Sequence, residues 1–420
     1  MDKNVLLIIL LLGWLYFATE RSKFFLHVLQ LESYEERRYI KWLIKGRKLF
    51  SDKYKKTLLL LSMVTCIYGI FVYALDSSNI IVVLRIIYYL IWTICLLMFS
   101  SIEVEELEES LAFINRAKRL FVANGILNFL LALLVLILYR QYIGFSLIYF
   151  PMVLYLYFLL YIFQPYIIYL SSLIIKPLEN SINKYYYQKA QKKINSMGTL
   201  QVVGITGSFG KTSTRLITEA ILKQRYRILS TNENCNTSID LSKLINEELD
   251  EKHQVFIVEM GARRMGDIKD LAKLIKPNIG VITSIGPAHL ETFKNIDSIM
   301  KTKYELIEEL QPEGVAIFNY DNTYIRKLAD KTFKEKILFG MKDIEKLDLY
   351  ADNVEISEEG STFTIKDKKG NSIDFKTQLV GKYNIYNILA GACVAKALGL
   401  DLEEIKRAIE INRIVKGKDY

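Results

Sequence analysis

The sequence predicts two architectures in one chain: a multi-span α-helical membrane region, then an α/β domain with a mostly parallel sheet and a small antiparallel β annex. Three observations carry that reading. Nearly all the long apolar runs of the 420 residues lie before residue 176. An apolar run at Leu200–Ile205 leads into a glycine-punctuated loop and then a helical pattern opening near Thr212. Beyond it, short apolar strands alternate with amphipathic helices, as in βαβ units around a parallel sheet.

The apolar half comes first. Candidate spans are Val5–Ala18, Thr57–Leu75, Ile80–Phe99, Asn124–Tyr139 and a long run from Phe145 to about Ile175. Set against the roughly 20 apolar residues that cross a bilayer, they predict about five transmembrane helices over residues 1–176. Eleven Lys and Arg lie between Glu20 and Lys56, and none lies in Asp76–Asn79. The positive-inside rule then puts the N-terminus outside and everything after Ile175 in the cytoplasm. Residues 177–197 read as a polar, partly helical linker, and residues 198–420 as the second domain.

Charge and cysteine bound the function classes. The net charge is +9, but much of the positive charge flanks apolar runs, which points to membrane lipid rather than nucleic acid as a partner. The four cysteines build no disulfide framework: Cys66 and Cys95 lie inside apolar spans, and Cys235 and Cys393 are far apart.

In the second half, strands are expected at Tyr226–Ser230, Val255–Glu259, Gly280–Ser284 and Val315–Asn319, after the strand ending at Ile205. Helices fall near Ile239–Glu248, Asp267–Ile275, Ile296–Leu310 and Tyr324–Thr332. From Leu347 to Leu379 the pattern changes to short alternating runs, Asn353–Ser357, Thr362–Lys366 and Ser372–Thr377, which form the antiparallel annex. Helices return at Tyr386–Leu398 and Glu403–Ile411.

Residues 204–214 read Gly-Ile-Thr-Gly-Ser-Phe-Gly-Lys-Thr-Ser-Thr. Strand, glycine loop, Lys-Thr and helix together are the recipe for cradling a nucleotide's phosphates. Gly207 and Gly210 let the backbone curl until several N–H groups point at one anion, and the helix N-terminus adds partial positive charge. Lys211 would reach the β- and γ-phosphates, and the Thr212 hydroxyl would bind Mg²⁺. Counted from Gly207 the spacing is one residue shorter than the common phosphate-loop form, and counted from Gly204 one longer. The loop is therefore P-loop-like, and the domain a P-loop-type nucleotide-binding fold. Three further polar groups stand where such a sheet presents them: Glu259 at a strand end, His289 after the strand ending at Ser284, and Lys303 one helix on.

These segments together resemble the Mur ligases, most nearly the MurF type that adds D-alanyl-D-alanine. The resemblance runs from about Val202 to Gly417. It rests on Thr206–Thr214, Glu259-Met260-Gly261-Ala262, Ile282–Phe293 with Ala288-His289-Leu290-Glu291, Lys301-Thr302-Lys303, Asn319-Tyr320-Asp321-Asn322 and Gly381-Lys382-Tyr383-Asn384. It implies an ATP-dependent acid–amino acid ligase for a peptidoglycan precursor, with ATP and two Mg²⁺ sites. Gly207, Ser208, Gly210, Lys211, Thr212 and Ser213 would hold the phosphates, and Asn319, Asp321 and Asn384 would face the adenine and ribose. Thr212 and Glu259 would bind the Mg²⁺ shared with ATP, His289 the second metal. Lys303 aligns with a lysine that many members carry as a carbamate. Asn234 and Asn236 match an asparagine-containing loop near the substrate.

Two departures stand beside the resemblance. The membrane segment takes the place of the family's uridine-nucleotide domain. Tyr420 falls about where the third, C-terminal ligase domain would begin, so that domain is expected to be absent from this chain or supplied by a partner protein. The leading reading is a ligase at the cytoplasmic face of a bacterial-type cell membrane. The alternatives are a polyglutamate-type ligase and a membrane scaffold or partner-dependent ATPase subunit in cell-wall synthesis.

Overall fold

The computed structural model describes residues 3–32, 34–45, 112–143, 150–232, 235, 237–287, 293 and 295–411, with isolated positions between 63 and 94. The chain divides into two compact units, Met1–Ser181 and Ile182–Tyr420.

The first unit is helical: α1 (Lys3–Leu31), α2 (Glu36–Lys45), α3 (Asn115–Ile143), α4 (Phe150–Ile162) and the opening of α5 (Gln164–Ser196). Trp14 and Ala18 on α1 are buried with Ala132 and Tyr157, and Trp14 Nε1 donates to the Tyr157 carbonyl at 2.7 Å. Several buried polar side chains of the unit bond one another. Asn124 Nδ2 donates to Ser22 Oγ at 2.8 Å, and Gln164 Nε2 to Asn128 Oδ1 at 2.6 Å.

The multi-pass membrane localisation read from the sequence is corrected here. Among the described residues one helix, Asn115–Tyr142, is long and apolar enough to cross a membrane. Pro151–Ile162 and Gln164–Ser196 pass that test only as a pair bent by 65°. Among the described residues, one or two such helices stand where about five spans were expected. Val5–Ala18 is the apolar part of α1 but runs straight into the polar Thr19–Lys23, and its Trp14 and Ala18 pack against neighbours. Thr57–Leu75 and Ile80–Phe99 lie outside the described residues apart from isolated positions. The segment read as a linker over 177–197 is largely the second half of α5, which continues through Pro177.

In the second unit the elements alternate as the apolar periodicity requires: β1 (Gln201–Thr206), α6 (Lys211–Leu222), β2 (Ile228–Ser230), α7 (Ser238–Glu247), β3 (Val255–Met260), α8 (Asp267–Ile275), β4 (Ile279–Ile282), α9 (Ile296–Glu308), β5 (Val315–Asn319), α10 (Thr323–Lys331) and β6 (Lys336–Gly340). There follow β7 (Leu349–Ser357), β8 (Gly360–Asp367), β9 (Ser372–Thr377), α11 (Lys382–Ala397) and α12 (Leu402–Ile411). The strands form one sheet in the order β2-β3-β1-β4-β5-β6-β7-β8-β9. Pairing is parallel from β2 to β7 and antiparallel from there to β9. The predicted annex is thus no separate body: β7 joins β6 through Phe339↔Leu349 and Gly340↔Tyr350 and extends the same sheet.

Strand side chains alternate between two cores, as a period of two demands. Val202, Phe256, Val258 and Phe318 face α7, α8, α9 and α10, while Val203, Val255, Ile257 and Ile317 face α6, α11 and α12. Burial on both faces explains why these strands read as continuous apolar runs. The connection from β3 to β4 passes across β1, so the strand order reverses about β1. Its C-terminal end is the crevice where such folds take ligands.

Candidate active site

The glycine loop sits at that crevice. Gly210 caps α6 at φ 79°, in the left-handed region, without a side-chain hydrogen bond to the helix. A Cβ there would stand 2.6 Å from Asn387 Oδ1, and one on Gly207 would collide with Thr283 Oγ1. Only glycine fits either place. The loop is latched to the chain leaving β4: Ser208 N donates to the Ser284 carbonyl at 2.8 Å, and Phe209 N to Ser284 Oγ at 2.9 Å. Thr283 Oγ1 returns a bond to the Phe209 carbonyl at 2.6 Å.

Lys211 opens α6, with Thr212 and Ser213 behind it. Burial pushes the Lys211 ammonium below its ordinary pKa, against the opposing pull of the Glu259 carboxylate. Thr212 Oγ1 donates to Glu259 Oε1 at 2.9 Å, so helix and strand bring two oxygen donors together. Arg215, one turn on, donates from Nε to Glu259 Oε2 at 3.3 Å. The backbone N–H of Glu259 is held by Thr231 Oγ1 at 2.9 Å.

Lys303, on α9, is only 4% exposed. It lines a cavity of about 40 Å³ together with Gly207, Ser208, Lys211, Gly261 and Phe293. Burial first, then the Lys211 charge, lowers the Lys303 pKa to about 7, although Asp267 and Glu305 pull the other way. Glu305, two residues on, accepts from Gly266 N at 2.7 Å and Lys269 N at 3.0 Å, and so caps α8. Asp267 Oδ2 accepts from Arg263 N and Arg264 N, each at 2.8 Å. The loop after Glu259 is thereby clamped beside Lys303.

The structure brings Lys211, Thr212, Glu259 and Lys303 to one end of the sheet. His289, Asn234 and Asn236 lie outside the described residues. Among the described residues no three His, Cys, Asp or Glu side chains converge as a metal site. The oxygens of Thr212 and Glu259 nevertheless suit a hard cation. Both are the hard oxygen donors that Mg²⁺ takes, and here they are hydrogen-bonded to each other.

Asn319 and Asp321 use their side chains within the fold. Asn319 Nδ2 donates to the Thr283 carbonyl at 3.1 Å. Asp321 Oδ2 accepts from Met341 N at 2.7 Å and from the Tyr386 hydroxyl at 2.8 Å. Asn384 is half-buried, and its Nδ2 donates to the Val380 carbonyl at 2.9 Å. Sequence reasoning missed Arg215, Glu305 and Asn387. Asn387 Oδ1 accepts from Thr214 Oγ1 at 3.1 Å and fixes α11 to the first turn of α6.

Residues 205–395 match the family described as Mur ligase middle domain. The UDP-N-acetylmuramoyl-tripeptide–D-alanyl-D-alanine ligase of Buchnera aphidicola subsp. Baizongia pistaciae is 35% identical over 219 residues, 52% of this chain and 46% of that protein. The protein of the same description from Escherichia coli K12 is 30% identical over 218 residues, 52% of this chain and 48% of its own. The crystal structure of MurF from Acinetobacter baumannii superposes with a TM-score of 0.51 at 28% identity, over 54% of this chain and 49% of that one. This chain therefore spans about half the length of the curated relatives it matches. Over residues 205–395 the chain is similar to the Mur ligase middle domain, and over about half its length to ligases of the MurF type.

Proposed function

We propose that the chain is an ATP-dependent acid–amino acid ligase of MurF type, acting on a peptidoglycan precursor that carries a carboxylate. The observation that carries this reading is the convergence of Lys211, Thr212, Glu259 and Lys303 around the latched glycine loop. In the proposed reaction a carboxylate oxygen attacks the γ-phosphorus of ATP and ADP leaves. An amine then attacks the acyl carbon, phosphate leaves, and the amine's proton is lost to base. Negative charge crowds at each stage, so fixed cations and N–H dipoles are the effective catalytic tools.

Lys211 and the N–H groups at the start of α6 would hold the phosphates, with Gly207, Ser208, Gly210 and Ser213 shaping the cradle. Thr212 and Glu259 would hold a Mg²⁺ that offsets phosphate charge. His289 is assigned to a second metal by sequence alone. Asn384 would meet the nucleoside, while Asn319 and Asp321 act through the backbone they hold. Lys303 suits a carbamate: about half of such amines are neutral at pH 7, against about 1 in 2,500 for an ordinary lysine. The neutral amine would add to CO₂ and lose a proton, leaving an anion able to face a metal.

Lys211→Ala tests the phosphate assignment in the full chain. Calorimetric titration with Mg-ATP should show binding weakened about 10- to 150-fold, the loss of one buried charge-assisted contact. Equal affinity in both proteins removes Lys211 from the site. Turnover is tested by phosphate release from ATP in the presence of UDP-N-acetylmuramoyl-tripeptide and D-alanyl-D-alanine, with and without the domains that complete the relatives.

A further inference from the structure

Arg215 lies three residues after Thr212, on the same face of α6. Its side chain is 8% exposed, and that of Glu259 13%. The guanidinium is held at three points: Nε to Glu259 Oε2 at 3.3 Å, Nη1 to Ser230 Oγ at 3.1 Å, and Nη1 to Glu219 Oε2 at 3.5 Å. Glu219 is steadied in turn by Lys223. A planar guanidinium fixed this way has one direction open to it, which a flexible ammonium would not.

The two oxygens of Glu259 therefore have different neighbours. Oε2 accepts from Arg215, and Oε1 accepts from the Thr212 hydroxyl at the start of α6. We infer that Arg215 is a positioning residue that makes Glu259 a one-oxygen ligand and so selects Mg²⁺ over Ca²⁺. The inference rests on the ATP and metal reading proposed above. Mg²⁺ demands compact octahedral geometry, whereas Ca²⁺ takes six to eight oxygens and accepts carboxylates through both. With Oε2 engaged, Glu259 cannot swing round to chelate. Released, it can, and the larger cation gains more from the second oxygen.

The test is equilibrium binding of ATP to the full chain with either Mg²⁺ or Ca²⁺, at matched ionic strength, and with EDTA as the metal-free arm. The readout is the ratio of the two metal–ATP affinities, which needs no turnover. Arg215→Lys keeps the charge but loses the fork, and should lower the preference for Mg²⁺ by about 10-fold or more, the usual cost of losing an outer-shell partner. Ser230→Ala removes one anchor of the guanidinium and should shift the ratio in the same direction by less. It also keeps the test open if Arg215→Lys fails to fold. Metal-free ATP binding should be unchanged in both. A wild-type ratio in variants that bind Mg-ATP overturns the inference alone. A wild-type chain that binds no metal–ATP overturns the site reading and this inference with it.

Discussion

Lys303 shows how one buried side chain can be both a stability cost and a chemical resource. Its pKa in the fold is about 7, against about 10.4 in an unfolded chain. Below pH 7 both states carry the proton, and the penalty of burying an ammonium is fully present. As pH rises from 7 toward 10, the folded state sheds the proton while the unfolded state keeps it, so stability increases. Lys303→Met should therefore stabilise the sheet domain most below pH 7, by up to about 5 kcal/mol, with the gain fading toward pH 10. Pulse proteolysis across a urea series at pH 6 and pH 9.5, in CO₂-free buffer, checks this. A gain that is equal at both values would rule out a charged Lys303 as its source. Read from sequence alone, Lys303 was a surface lysine unless its neighbours were known. Its burial comes from the loop that Glu305 and Asp267 hold over it.

Single elements acquire their roles here from contacts between elements. The cap of α8 is Glu305 of α9, because Gly266 offers no side chain. Glu305→Gln keeps the shape but can accept from one N–H with its oxygen while its amide faces the other. The opening of the α8 start should then become easier by about 1–2 kcal/mol. Hydrogen exchange at Gly266 and Lys269 would accelerate about 5- to 30-fold if the cap is as described, and stay unchanged if it is not. Such caps explain which parts of the site were legible. The glycine loop, Lys211, Thr212 and Glu259 follow one another along βα units, so local pattern located them. Arg215, Glu305 and Asn387 act across elements, and on an isolated helix each reads as a solvated polar position. Spacing alone could have pointed to Arg215, one turn from Thr212. The strands β3 and β5 were legible as apolar runs, but β6 was not. Its five residues open on Lys336 and follow the charged stretch around Lys331–Glu335, which masks a short buried strand.

At the scale of the whole molecule, the alternating runs after Leu347 were readable as antiparallel strands, whereas their attachment to the parallel sheet was not. Periodicity reports which face a residue takes, never which strand it pairs with. Of the early apolar runs, Asn124–Tyr139 falls in the described helix that is long and apolar enough to cross a membrane, Val5–Ala18 packs its Trp14 and Ala18 on neighbours, and Thr57–Leu75 and Ile80–Phe99 lie outside the described residues apart from isolated positions. The seam between β6 and β7 is two residue pairs wide, while β7 and β8 pair over most of their length. The parallel half joins residues distant in sequence, such as Gln201 and Val255, whereas β7 to β9 form a meander with short connections. Closing short loops loses less chain entropy, so the meander has the faster route to its native pairing. In refolding followed by pulsed hydrogen exchange, amides in Tyr350–Ile365 should gain protection before those in Val255–Val258. Simultaneous protection would mean that the seam couples both halves from the start. If the meander does lead, the narrow seam makes it a preformed edge on which the last parallel strand docks, and the phosphate loop, three strands further in, is among the last parts of the domain to take shape.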